Sequence, residues 1–63
     1  MPIIRIELLP GRTNEQKAEY SDKVTKLTAE ILLCQESQVD VIFTEISSSD
    51  WAKSGRLLYK SKD

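Results

Sequence analysis

The sequence predicts an α/β fold: a single β-α-β unit with a short C-terminal arm, assembling into an oligomer. Three observations carry that expectation. Two runs rich in β-branched residues flank one amphipathic helical stretch, the chain has only 63 residues, and it holds one cysteine and no histidine. A domain this short buries only about 60% of its unfolded surface when it folds alone. Such domains are held together by disulfides, by a structural metal or by association. One cysteine without a histidine removes the first two, which leaves self-association.

The first strand is read from Ile3-Ile4-Arg5-Ile6-Glu7-Leu8-Leu9, where Ile4, Ile6 and Leu8 alternate with Ile3, Arg5 and Glu7. This is the period-two pattern of a strand with one well-buried face and one mixed face. Pro10-Gly11 ends it. Thr13 stands three residues before Gln16, the capping-box spacing, so a helix begins there. Tyr20, Val24, Leu27, Ile31 and Cys34 then recur at helical spacing, with Leu32 beside them. The sequence predicts that this stripe packs as core against the sheet while the Lys, Glu and Asp residues opposite face solvent. Cys34 reads as a small buried hydrophobe in a reducing compartment.

After the polar break Gln35-Glu36-Ser37-Gln38, the run from Val39 to Ile46 reads as a second strand. Strand, helix and strand make one β-α-β unit of two parallel strands, and parallel sheets are normally covered on both faces. A lone unit leaves one face and both edges open, so other copies must cover them. Beyond Ser47-Ser48-Ser49, Trp51, Gly55 and the apolar patch Leu57-Leu58-Tyr59 read as an interface arm. The whole chain, 1–63, reads as one domain.

Nine Lys and Arg against ten Asp and Glu give a net charge of −1. That balance supplies no long-range field to gather nucleic acid or an anionic membrane. No apolar run approaches the roughly 20 residues of a membrane span, and no export signal is recognisable. The expected location is cytoplasmic, with no nucleic-acid or membrane partner.

The chemistry-bearing feature is Met1-Pro2. Removal of the methionine exposes a secondary amine that ordinary backbone does not supply, and such an amine is a candidate base. With Met1 in place, Pro2 carries a neutral tertiary amide, so any mechanism built on it requires processing. No metal ligand set or cofactor motif accompanies it.

Several residues together carry a resemblance: Pro2 opening the first strand, Gly11-Arg12-Thr13-Asn14-Glu15-Gln16-Lys17 at the helix start, Thr44-Glu45-Ile46 closing the second strand, and Trp51 through Gly55 beyond. In spacing and length the chain resembles the 4-oxalocrotonate tautomerase family over nearly its whole extent. The resemblance implies a β-α-β fold whose pairs share a four-stranded sheet, with three dimers commonly forming a hexamer. It implies keto-enol tautomerisation of a small enol or 2-oxo carboxylate, with Pro2 as general base. Arg12 matches an arginine that grips the substrate carboxylate from a neighbouring subunit. Trp51 aligns with a pocket aromatic, and Leu9 or Leu8 adds to the same apolar wall. Neither metal nor organic cofactor is implied.

Asp40 departs from the pattern, because it falls where diacid-specific members carry a second arginine. An ionised carboxylate there repels a dicarboxylate by about 4 kcal/mol at 4 Å and an effective dielectric of 20, before screening. The departure favours a substrate with a single carboxylate, such as a phenylenolpyruvate-like enol. Arg56 compensates only if the tail folds over a neighbouring pocket. Asp40 also opens a second reading, in which it positions water for a hydratase, dehalogenase or decarboxylase and Pro2 acts as an acid. A third reading is a non-catalytic assembly protein on the same scaffold.

Overall fold

The computed structural model describes residues 1–60; the last residues of the span read as one domain lie outside it. Strand β1 covers Ile3–Leu8, helix α1 Asn14–Leu32 and strand β2 Asp40–Glu45. β1 and β2 form a two-stranded parallel sheet, with Ile3 opposite Asp40 and Leu8 opposite Glu45. The ladder is bounded by two bonds. The Asp40 N–H donates to the Pro2 carbonyl at 3.0 Å, and the Ile46 N–H donates to the Leu8 carbonyl at 2.9 Å. The β-α-β unit read from the sequence is therefore present, with each strand one residue or so shorter than its apolar run.

The capping box forms as its spacing predicts. Thr13 Oγ1 accepts from the Gln16 N–H at 3.0 Å, and Gln16 Oε1 accepts from the Thr13 N–H at 3.0 Å. Two orphan amides at the helix start are thereby satisfied. At the other end the chain leaves the helix through Leu33, whose φ of 57° and ψ of 53° are left-handed. A Cβ in that region costs about 1 kcal/mol, which is why glycine usually stands there. On the solvated face Lys23 pairs with Glu19 and Lys26 with Asp22, each one turn apart. The Asp22 carboxylate holds the exposed Lys26 ammonium above its ordinary pKa by hydrogen bonding to it.

The helix is rotated from the position its apolar stripe predicts. Val24 is half-buried as expected, alongside Lys17, Ser21, Thr25, Thr28 and Ala29. Tyr20, Leu27, Ile31 and Leu32 are instead exposed, Ile31 by 66%. The reason lies in the width of the sheet. Two strands about 4.8 Å apart cannot cover a broad apolar stripe, so part of it overhangs the rim. Phe43 reaches that rim and meets Tyr20 edge-on, ring centroids 6.2 Å apart.

No described residue is fully buried, and the chain exposes 5225 Å². A folded monomer of this mass normally exposes roughly 4,100 Å². Half-burial on the helix side falls to Ile4, Ile6, Leu8, Val41 and Phe43, whereas Ile3 and Ile42 lie exposed on the far face of the sheet. The apolar surface left uncovered is the physical form of the assembly requirement.

The C-terminal arm has more order than the sequence suggested. Strands β3 (Ala52–Lys53) and β4 (Arg56–Leu57) pair antiparallel around Ser54-Gly55. Both turn residues have positive φ, 53° and 80°, the requirement of a two-residue turn whose twist matches a hairpin.

Candidate active site

The residues predicted to form the site fall at two ends of one strand. Pro2 is half-buried immediately before β1, held through its carbonyl by the Asp40 amide. Asp40 is exposed at the start of β2, its side chain on the outward face that Ile3 shares. These two residues therefore come together within the chain. Leu9 and Arg12 follow the opposite end of β1. A six-residue strand rises about 20 Å from end to end, so Arg12 lies beyond side-chain reach of Pro2 in its own chain. Trp51 is half-buried in the arm, which departs from the same end as Arg12 because β2 runs parallel to β1. Its carbonyl accepts from the Leu58 N–H at 2.8 Å, fixing the base of the hairpin.

At the Arg12 end the chain builds an open groove of about 390 Å³. Gly11, with φ 126°, turns the backbone so that Arg12 lands on its rim. No atom stands within 4 Å of where a Gly11 Cβ would lie, so the glycine is required by its backbone angle and not by crowding. The groove is lined by Ile6, Leu8, Arg12, Gln16, Lys17, Tyr20 and Phe43. Lys17 is its best-fixed polar group. Its ammonium meets Glu45 Oε2 at 2.7 Å and lies 5.8 Å from the Phe43 ring centroid. Sequence reasoning assigned Lys17, Tyr20 and Phe43 no place near Arg12. The available signal was spacing, since Arg12, Gln16 and Tyr20 follow one another at four-residue steps across the helix start.

The two ends differ in charge. Asp40 stands at the Pro2 end without an ion pair among the described residues, whereas Arg12 and Lys17 lie together at the groove. The groove end also holds Tyr20 and the Glu45 carboxylate that pairs with Lys17.

Comparison with known proteins gives this divided arrangement its context. The family model described as tautomerase enzyme matches residues 2–60, so Pro2 is its first matched residue. The chain belongs to the tautomerase family. A probable tautomerase of Bacillus cereus is 34% identical over 58 residues, covering 92% of this chain and 95% of the relative. The crystal structure of YwhB, a homologue of 4-oxalocrotonate tautomerase, superposes with a TM-score of 0.92 at 30% identity, covering 97% of this chain and all of the other. A heterohexamer 4-oxalocrotonate tautomerase from Chloroflexus aurantiacus gives 0.89 at 27% identity, covering 98% of this chain and 100% of that one. That neighbour is a heterohexamer, in keeping with the uncovered apolar surface of this chain. Among the described residues no helix is long and apolar enough to cross a membrane, and no group of three or more metal-ligating side chains converges.

Proposed function

We propose that this chain is a cofactor-independent keto-enol tautomerase acting on a small enol or 2-oxo monocarboxylate. Pro2, freed by loss of Met1, is its base. The observation that carries the reading is that the family match begins at Pro2, whose carbonyl is held by the Asp40 amide and whose preceding residue, Met1, is 82% exposed. The amine accepts the enol hydroxyl proton as the carbonyl forms. It then returns that proton to the former alkene carbon, so the amine is regenerated and no oxidant or reductant is needed.

A base that works near neutral pH needs a pKa near neutral pH. For an alkyl amine that means disfavouring the cation, through burial or a neighbouring positive charge. Arg12 of a neighbouring chain serves both purposes, since it holds the substrate carboxylate and opposes protonation of Pro2. Trp51 and Leu9 form the apolar wall of the assembled pocket. Asp40 excludes a second carboxylate. The test is ultraviolet-monitored ketonisation of phenylenolpyruvate by mass-verified Met-free protein. A rate above buffer that falls by about a hundredfold or more in Pro2→Ala supports the reading, and a rate unchanged by the substitution contradicts it.

A second reading rests on the closeness of Asp40 to Pro2. Their backbones are hydrogen-bonded, and a carboxylate that turns toward the amine raises the amine pKa and favours a protonated proline acting as an acid beside a positioned water. Hydration, dehalogenation or decarboxylation of a small unsaturated or oxo acid then replaces tautomerisation. A pH titration of the amine separates the two, a low value favouring the base and a high value the acid. Retention of Met1 in the purified protein would leave the remaining reading, a non-catalytic assembly unit.

A further inference from the structure

The arm beyond β2 concentrates positive charge that no described acid answers. Residues 51–60 hold Lys53, Arg56 and Lys60 and no Asp or Glu, in a chain whose net charge is −1. The hairpin then brings two of these cations together. Lys53 of β3 stands directly opposite Arg56 of β4, and residues so paired project from one face with their Cα atoms about 4.5–5.5 Å apart. Like charges in that relation destabilise a sheet, and strands of two residues have little to set against them. The third cation joins at a groove. Arg56 and Lys60 line an open space of about 420 Å³ with Gly55 and Leu57, and the Lys60 ammonium lies 6.0 Å from the Tyr59 ring centroid. None of the three forms an ion pair among the described residues, and neither does Asp50, the acid just before the arm.

We propose that the hairpin is a binding site for a small dianion, a phosphate or a dicarboxylate, gripped by Arg56 and Lys60 with Lys53 adding its charge. The residue types suit that chemistry. Arginine presents a planar fork that meets two oxygens of a phosphate or carboxylate at once, and lysine adds a compact charge. Leu57 is half-buried and backs the groove with apolar surface, while Gly55 has no side chain to close it. The Arg12 groove shares no residue with this one, so the two anion sites are separate. A bound dianion offsets the repulsion between Lys53 and Arg56 and steadies the hairpin, whose base is the 2.8 Å bond from the Leu58 N–H to the Trp51 carbonyl. The ligand thereby acts on the position of Trp51, and its effect on catalysis rests on the tautomerase reading.

The test is titration with inorganic phosphate at constant ionic strength, binding being read by calorimetry and the hairpin by emission of Trp51, the sole tryptophan. Saturable binding is expected with a dissociation constant on the order of 1 mM. Arg56→Gln and Lys60→Gln each weaken it by about tenfold or more. Lys53→Glu sets an acid opposite Arg56, satisfies it within the hairpin and abolishes phosphate binding. Succinate in place of phosphate distinguishes the source: tighter binding identifies a dicarboxylate ligand, weaker binding a phosphorylated one. Absence of saturable binding overturns the site, as does an equal response to acetate or binding unchanged in R56Q. A parent that binds no phosphate while R56Q lowers its native mass assigns these cations to acids of a second copy and also overturns it. Phosphate bound by a protein inactive on phenylenolpyruvate leaves the site standing and removes the tautomerase reading instead.

Discussion

The two ends of β1 make opposite contributions to the site. At one end Pro2 is pinned by the Asp40 amide, and the proposed reading assigns it the proton chemistry. At the other, Gly11 and the Thr13 cap present Arg12 on an apolar groove beside Lys17, and the proposed reading assigns it the substrate carboxylate. A strand of about 20 Å separates them. What the difference teaches is that secondary structure fixes the distance between Pro2 and Arg12, so on the proposed reading function requires assembly.

The predictions break or sharpen that division. Pro2→Ala, which still permits Met1 removal, replaces the ring's secondary amine with a freely rotating primary one and is expected to lower kcat on phenylenolpyruvate by about 10²–10⁴-fold with little change in KM. Arg12→Ala removes a charged hydrogen-bond donor from the other half. It is expected to raise KM by about tenfold to a hundredfold while sparing kcat, as steady-state kinetics would reveal. Asp40→Arg reverses the sign at the Pro2 end and is expected to improve kcat/KM for a dicarboxylate enol by about tenfold relative to the monoacid. A preference unchanged by that substitution would remove Asp40 from specificity. Leu33→Gly relieves the left-handed cap at the end of α1 and is expected to stabilise the fold by about 1 kcal/mol in denaturant titration, leaving kinetics unchanged.

Much of the fold was legible because its signals are local. Alternation in Ile3–Leu8, the Thr13/Gln16 capping box and the β-branched run around Val41 each specify an element from neighbouring residues alone. The hairpin in the arm was not read, although Ser54-Gly55 is a hairpin-type dipeptide, because strands of two residues have no periodicity to detect. The rotation of α1 was hidden for a different reason. An apolar stripe records every surface a helix will bury, and in this chain Tyr20, Leu27 and Ile31 await cover that one β-α-β unit lacks. For the candidate site, the Met1-Pro2 pair pointed to Pro2, and family resemblance supplied its role together with Arg12, Trp51, Leu9 and Asp40. The grouping of Lys17, Tyr20 and Phe43 beside Arg12 required the fold, since residues from both a helix and a strand meet there.

The central claim, a site shared between chains, is tested most directly by subunit complementation. Pro2→Ala and Arg12→Ala proteins are unfolded, mixed in equal amounts, refolded together and assayed with phenylenolpyruvate well below the parental KM, where each variant alone is slow. In a mixed pair one site inherits Pro2 from one chain and Arg12 from the other, so random pairing is expected to recover about a quarter of the parental rate. A mixture no more active than the average of the two variants refolded separately would show that Pro2 and Arg12 do not meet across subunits, and would contradict the account.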